Sequence, residues 1–337
     1  MLRREYGTRN RMRRAMKKKA MAGIAALLLA LTGWFTVAAA AQGQEAEAAL
    51  AQQSISSSAL PGTPAQAPAT AATVALPSPA ANAEPESEEA GIMDNSFLIE
   101  EAYNQEYGVV QHIQVWTKMW VGNDWAYSFT QEWPVNLAPK NQLSYTFQSL
   151  HTDPGTGMGV GDLILNYRYQ VVQNKRWAFS PRFSLLAPTG DYKLGRGAGG
   201  WGWQTNIPVS WTWHSKLVTH WNLGATHVPH AKDAMGNQAT VWGYNAGQSF
   251  IFLASKRFNL MLETVFNSTE AVEGPGMTGR FNSILVSPGF RWAHNLKNGT
   301  QIVPGLGFPI GVGPSHGEYG LVVYLSVEHP FAKLKGK

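Results

Sequence analysis

Apolar and polar residues alternate with period two along most of residues 109–331, in runs of about ten separated by turn formers. In the run Trp242-Gly-Tyr244-Asn-Ala246-Gly-Gln248-Ser-Phe250-Ile-Phe252, the large side chains share one face, and Gly243, Asn245, Gly247 and Ser249 share the other. Phe258, Leu260, Leu262, Thr264 and Phe266 oppose Asn259, Glu263 and Asn267 in the same way, and Leu163, Leu165, Tyr167 and Tyr169 alternate with Asp162, Asn166, Arg168 and Gln170. The pattern predicts twelve strands, near 109–119, 125–134, 142–151, 160–172, 176–187, 202–213, 217–228, 242–254, 257–267, 281–293, 300–311 and 319–331. From the fourth strand on, short connections such as Gln173-Asn174-Lys175 alternate with longer ones such as Thr189 to Trp201, Pro229 to Val241 and Ser268 to Gly279.

Two all-β architectures share such alternation. In a soluble sandwich or lipocalin-like barrel, the large apolar face would point inward. Here the opposite face is rich in Ser, Thr, Asn, Gln and charge in almost every strand, and Trp clusters near strand ends, including Trp116, Trp133, Trp211 and Trp292. An apolar exterior with interfacial aromatic girdles around a polar lumen predicts an all-β fold, an antiparallel transmembrane β-barrel of about twelve strands occupying residues 94–337. The expected location is the bacterial outer membrane. An even strand number places both the N-terminal spacer and the C-terminus in the periplasm.

On this register the lumen-lining candidates are Lys118, Arg168, Arg182 and Arg291 against Glu132, Asp162, Glu263 and Glu328, four of each sign. Opposite charges interspersed in a narrow lumen either pair and fill it or constrict a passage. The register leaves both readings open.

Charge is uneven along the chain. Of 27 Lys and Arg and 22 Asp and Glu, nine bases and one acid lie in residues 1–41, so the remainder holds 18 bases and 21 acids. The basic character belongs to the leader, and no basic stripe remains to neutralise nucleic-acid phosphates. The bases from Arg3 to Lys19, the apolar run Met21 to Val37 and the small residues Ala38 to Ala41 have the layout of a signal peptide, 1–41. Residues 42–93 are rich in Ala, Pro and Glu, carry no Lys or Arg, and form an expected disordered periplasmic linker, because they offer too little apolar surface to offset the entropy of ordering.

There is no cysteine, which removes disulfides, thiolate metal sites and cysteine nucleophiles. His227 and His230 bracket Val228-Pro229 without a nearby carboxylate, so no metal site is expected there. His214-Ser215 are adjacent and point to opposite sides, and Gly195-Arg196-Gly197-Ala198-Gly199-Gly200 lacks the strand-to-helix context of a phosphate loop. Neither an enzyme nor a cofactor is expected. Two classes remain: a transporter or channel, and a non-conducting structural or surface-interaction barrel.

Several glycine-rich motifs add a resemblance. Gly159-Val160-Gly161-Asp162 with the strand that follows, Leu186-Ala187-Pro188-Thr189-Gly190-Asp191, Leu194-Gly195-Arg196-Gly197 and the stretch Asn95 to Glu106 resemble the family of outer-membrane transporters named for the meta pathway of phenol degradation. The likeness covers roughly Asn95 to Phe331. It implies a small barrel that passes small hydrophobic or aromatic compounds. The partners then expected are outer-membrane lipid, the barrel-assembly machinery and such a solute. One departure is that Phe331 is followed by Ala332 to Lys337, whereas such barrels commonly end on an aromatic residue.

Overall fold

In the computed structural model, the alternating segments pair with their neighbours into one closed antiparallel sheet. The structure describes Ile92 and residues 96–121, 125–135, 140–151, 158–296 and 298–331. The expected signal peptide, nearly all of the linker and the tail 332–337 lie outside the described residues.

Among the described residues, twelve strands make the barrel. They are β1 (Val109–Met119), β2 (Trp125–Pro134), β3 (Asn141–His151), β4 (Met158–Val160, Leu163–Tyr169 and Val172–Gln173) and β5 (Trp177–Phe179 and Arg182–Ala187). There follow β6 (Gly202–Asn206 and Val209–His214), β7 (Leu217–Lys232), β8 (Gln238–Ser255) and β9 (Phe258–Gly274). The last three are β10 (Met277–Trp292 and His294–Asn295), β11 (Gln301–Gly307 and Ile310–Gly311) and β12 (Gly320–Pro330). The sheet closes where β1 pairs with β12, from Val109↔Pro330 to Met119↔Gly320. Closure removes free sheet edges and pairs backbone polar groups internally, the condition for a β-structure to cross a bilayer.

The two faces divide as the pattern predicts. Outside stand Trp116, Leu165, Tyr167, Phe183, Leu223 and Leu260, all exposed. Inside, Thr130, Gln142, Asn166, Arg168, Glu263 and Arg291 are buried. Aromatic contacts gather outside at two levels. Trp203 lies 5.7 Å from Trp242 toward the long-connection end, while Phe290 and Trp292 (6.1 Å), and Trp133 and Phe331 (6.0 Å), lie toward the short-turn end. Two girdles of this kind suit the two interfaces of a membrane.

Three findings differ from the sequence reading. First, two of the expected long loops are largely strand. β7 runs to Lys232 and β8 starts at Gln238; a bulge between Val228 and Ala231 absorbs Pro229, which has no N–H to offer the ladder. The tip is held by Asp233, whose Oδ1 accepts from the backbone N–H of Met235 (2.9 Å) and Asn237 (2.8 Å). Second, β9 and β10 turn through Pro275-Gly276, with Gly276 at φ +70°, the pairing a type II turn requires. The sequence reading places this Pro-Gly turn inside the longer connection Ser268 to Gly279, most of which is strand.

Third, Lys118 does not line the lumen. It pairs across the sheet with Trp125 and Leu321, on the face that carries Trp116, while Gln111, Ile113 and Val115 face inward. A lysine near the outer end of a strand can lay its stem along apolar surface and carry its ammonium to the interface. We therefore expect Lys118→Leu to change unfolding stability in lipid vesicles by no more than about 1 kcal/mol, the range for charges at interfacial depth. A loss of several kcal/mol in urea titration would contradict the outward placement.

Candidate functional site

The lumen is filled by the chain itself. Ser96 to Gln105 have no strand pairing, yet every one of them is buried. An extended segment in a closed barrel must find partners for its backbone groups. Here the side chains of the wall supply them. The N–H of Leu98 donates to Glu263 Oε1 (2.8 Å, β9), that of Glu100 to Asn222 Oδ1 (2.8 Å, β7), that of Ala102 to Ser210 Oγ (2.8 Å, β6) and that of Asn104 to Gln170 Oε1 (2.8 Å, β4). Alternate N–H groups are taken in turn, as expected of an extended chain whose successive groups point opposite ways. Carbonyls are met in return: Gln170 Nε2 donates to Ala102 O (2.8 Å) and Asn222 Nδ2 to Glu100 O (2.6 Å).

Both ends of this plug lie at the short-turn end of the barrel. The carbonyl of Ile92 accepts from Asn259 Nδ2 (2.7 Å), one residue inside the start of β9, and Gln105 bonds to Gln142 at the start of β3. A tight turn, closed by Val109 N–H on Glu106 O (3.1 Å), passes the chain into β1. The plug is therefore a loop inserted from one side, not a thread through the barrel.

Its centre is an ion-pair cluster. Arg168 and Arg182 stand directly opposite each other on β4 and β5. Two like charges so placed repel, and burial raises the penalty. Glu100 resolves this: Arg168 Nη2 donates to its Oε1, and Arg182 Nε donates to both its oxygens at 3.0 Å. Asn206 Nδ2 also donates to Glu100, Arg182 Nη1 to Asn166 Oδ1 (2.8 Å), and Arg168 Nη1 to Tyr103 O (2.8 Å). All three charged groups are at most 4% exposed.

Packing fixes the other half. Phe97 lies against Tyr324 of β12 (5.3 Å between ring centroids) and against a wall of glycines. A Cβ at Gly305 would come within 2.5 Å of the Phe97 ring, and one at Gly289 or Gly307 within 2.7 or 2.9 Å. These positions are cut back to backbone where the ring enters.

The eight residues expected to line the lumen have different fates. Arg168, Arg182 and Glu263 hold the plug. Glu132 is buried and accepts from Gln142 Nε2 (2.7 Å). Arg291 reaches Ile92 O at 3.4 Å, and Glu328 pairs in register with Gln111 near the short-turn end. Asp162 ties down the β5–β6 connection, accepting from Gly190 N–H (2.9 Å) and Ala198 N–H (2.7 Å), so the separate glycine motifs of the sequence form one unit at the long-connection end. Lys118 lies outside. Sequence reasoning missed Glu100, Gln142, Gln170, Ser210 and Asn222. The available signal was the Arg168–Arg182 pair, whose repulsion demands a carboxylate that neither strand supplies.

Two other sequence candidates have structural roles. His214 Nδ1 accepts from Lys216 N–H (3.1 Å) in a turn, and His227 sits in an outer aromatic cluster 4.1 Å from Trp242. Among the described residues, no group of three or more His, Cys, Asp or Glu is placed to hold a metal ion.

Residues 93–320 match a family model described as "Putative MetA-pathway of phenol degradation". The chain belongs to this family. The match covers more than half of the chain and includes the plug as well as most of the wall. No curated protein matches the sequence. Solved structures similar to this chain include the COG4313 outer membrane channel from Pseudomonas putida F1, at 13% identity over 73% of this chain and 99% of that one, TM-score 0.49. Others are the NanC porin (9% identity, 65% and 98%, TM-score 0.45) and the KdgM porin (9%, 66% and 99%, TM-score 0.43). The phenol-degradation family member described here is an outer-membrane β-barrel: its closed sheet is apolar outside and polar within.

Removing Glu100 leaves two buried guanidinium groups uncompensated, a loss of about 3–5 kcal/mol for a broken buried pair. Because the chain has no cysteine, Ala102→Cys supplies a single reporter. We expect it to resist a water-soluble thiol reagent, and to react at least about tenfold faster when Glu100→Gln is added, since 1.4 kcal/mol is already a factor of ten. Equal rates would show that the ion pairs do not hold the plug.

Glu106, half-buried in the turn below the plug, has its pKa pushed up to about 7 by burial. The folded form thus prefers the neutral acid. Its stabilisation of the fold relative to the unfolded chain is complete below the ordinary carboxylate range and is lost as pH rises through about 7. Between pH 5 and pH 8 the unfolding midpoint should fall further in the wild type than in Glu106→Gln. Parallel pH profiles would exclude this linkage.

Proposed function

We propose that this protein is an outer-membrane transporter or channel for small hydrophobic or aromatic compounds, closed at rest by Ser96 to Gln105 and opened when that loop withdraws. One observation carries the reading. The plug is held by side-chain hydrogen bonds and one ion-pair cluster, without any strand pairing among the described residues, so it can leave while the wall stays intact. Both of its ends lie at the short-turn side, so withdrawal requires no threading.

Short turns are periplasmic in bacterial barrels, which supports a periplasmic linker and C-terminus with the long connections outside. The wall meets outer-membrane lipid through its aromatic girdles, and the barrel-assembly machinery inserts it. The solute class rests on the phenol-degradation description of the family. It agrees with a wall whose inward face would keep apolar and aromatic side chains (Ile113, Val115, Tyr324) once the plug has left.

A second reading, a non-conducting structural barrel, draws support from the complete burial of the plug. Planar-bilayer recording separates the two. Wild-type protein should be mostly silent, with rare openings. Gly305→Val, which collides with the Phe97 ring but leaves β11 able to pair, should raise open probability by at least about tenfold, the effect of 1.4 kcal/mol on a two-state equilibrium. Liposomes bearing this variant should take up phenol-like solutes faster than wild type. A folded Gly305→Val barrel that neither conducts nor admits solute would favour the structural reading.

A further inference from the structure

The donors that hold the Glu100 carboxylate all belong to the wall: Arg168 Nη2 of β4, Arg182 Nε of β5 and Asn206 Nδ2 of β6. Each carboxylate oxygen accepts from two of them, Oε1 from Arg168 and Arg182 (3.0 Å), and Oε2 from Arg182 (3.0 Å) and Asn206. Arg182 is aimed by other wall residues, through Asn166 Oδ1 (2.8 Å) and Gln204 Oε1 (3.1 Å), so its direction does not depend on the plug. Among the described residues, both arginines form their ion pairs with Glu100 and with no carboxylate of the wall. A plug that leaves therefore uncovers a cradle already arranged for a carboxylate.

Glu100 does not satisfy that cradle completely. Its main chain is fixed on Asn222, which accepts from its N–H (2.8 Å) and donates to its carbonyl (2.6 Å). Arg168 is engaged through Nη1 and Nη2, while its Nε has no hydrogen-bond partner although the side chain is only 1% exposed. A buried donor left unmet is costly. A carboxylate without the tether can turn to take Nε and Nη2 together, the bidentate geometry that a guanidinium favours.

We propose that this cradle is a binding site for the carboxylate of a small organic acid, which competes with Glu100 and so favours the withdrawn plug. The competition rests on the withdrawal proposed above and adds the charge of the solute: among small aromatic compounds, the cradle selects acids over phenols and hydrocarbons. Chloride fits less well, because the donors address two oxygens and not one centre. The tether gives Glu100 a high effective concentration, so a free acid binds more tightly once Glu100 is removed. A ligand that binds only the uncovered wall shifts the plug's equilibrium toward withdrawal.

Isothermal titration of benzoate into the folded full-length barrel tests the proposal, with benzyl alcohol and sodium chloride as comparators at matched ionic strength. Glu100→Ala frees the cradle and should bind benzoate saturably, at least about tenfold more tightly than wild type, whereas neither comparator should bind comparably. Adding Arg182→Gln should weaken benzoate binding by about tenfold or more, as expected for loss of a charge-assisted contact. In the wild-type background, benzoate but not benzyl alcohol should speed thiol labelling at Ala102→Cys. Heat-modifiable migration confirms that each variant is folded, and Glu100→Gln replaces Glu100→Ala if the latter does not fold. No saturable benzoate binding to the freed cradle, equal affinity in wild type and Glu100→Ala, a comparator that binds as well as benzoate, indifference to Arg182→Gln, or a labelling rate unmoved by benzoate would each overturn it. Conductance is read separately. A silent barrel that binds benzoate in this way would keep the site and count against the transporter, and a conducting barrel that ignores benzoate would do the reverse.

Discussion

Two guanidinium groups on neighbouring strands, facing each other inside a narrow lumen, set the condition that the interior must meet. Arg168 and Arg182 are in direct cross-strand register, and neither can lose its proton. Water could screen them in a wide channel, but in a twelve-strand barrel side chains crowd the space. The carboxylate that compensates them belongs to Glu100, outside the wall's own strands. Around that contact the wall aligns amides, a hydroxyl and a carboxylate on five strands, each meeting one or two backbone groups of the plug. The wall and the loop are therefore one electrostatic unit, although only the wall is a sheet.

Closure is the second constraint. β1 continues directly from the plug, and β12 pairs along its whole length with β1. Beyond that ladder, the N–H of Phe331 donates to Gly108 O (2.8 Å), in the turn that carries the chain from plug to wall. The point at which the loop bends is thus fastened to the seam of the barrel. A withdrawal of the plug would pivot about that base.

The wall was largely legible in the sequence. Strands such as Trp125–Pro134 were placed to the residue, because every second side chain must suit lipid and the rest must suit a polar interior. The errors have local causes. At Lys118 the end of the strand runs into the interfacial zone, where a base is tolerated on the lipid side and polarity no longer distinguishes the faces. The β7–β8 and β9–β10 hairpins extend past the apolar belt, so their alternation fades while their pairing continues. The plug was the largest omission. Its residues show no period, since an irregular segment takes its conformation from the side chains around it, and those partners are far away in the chain: Glu263 bonds to Leu98 across 165 positions. The glycine motifs and the stretch Asn95 to Glu106 signalled a family but did not reveal that one lies inside the other's barrel.

The glycines that admit Phe97 belong to β10 and β11, and the paired arginines belong to β4 and β5. In a ring of twelve strands these positions are diametrically opposed. An emptied bore would therefore be eccentric, widest beside a strip of bare backbone and lined on the facing side by two cations. A molecule crossing it would meet different chemistry on its two flanks, and would travel best with a polar edge turned one way and a flat apolar face turned the other.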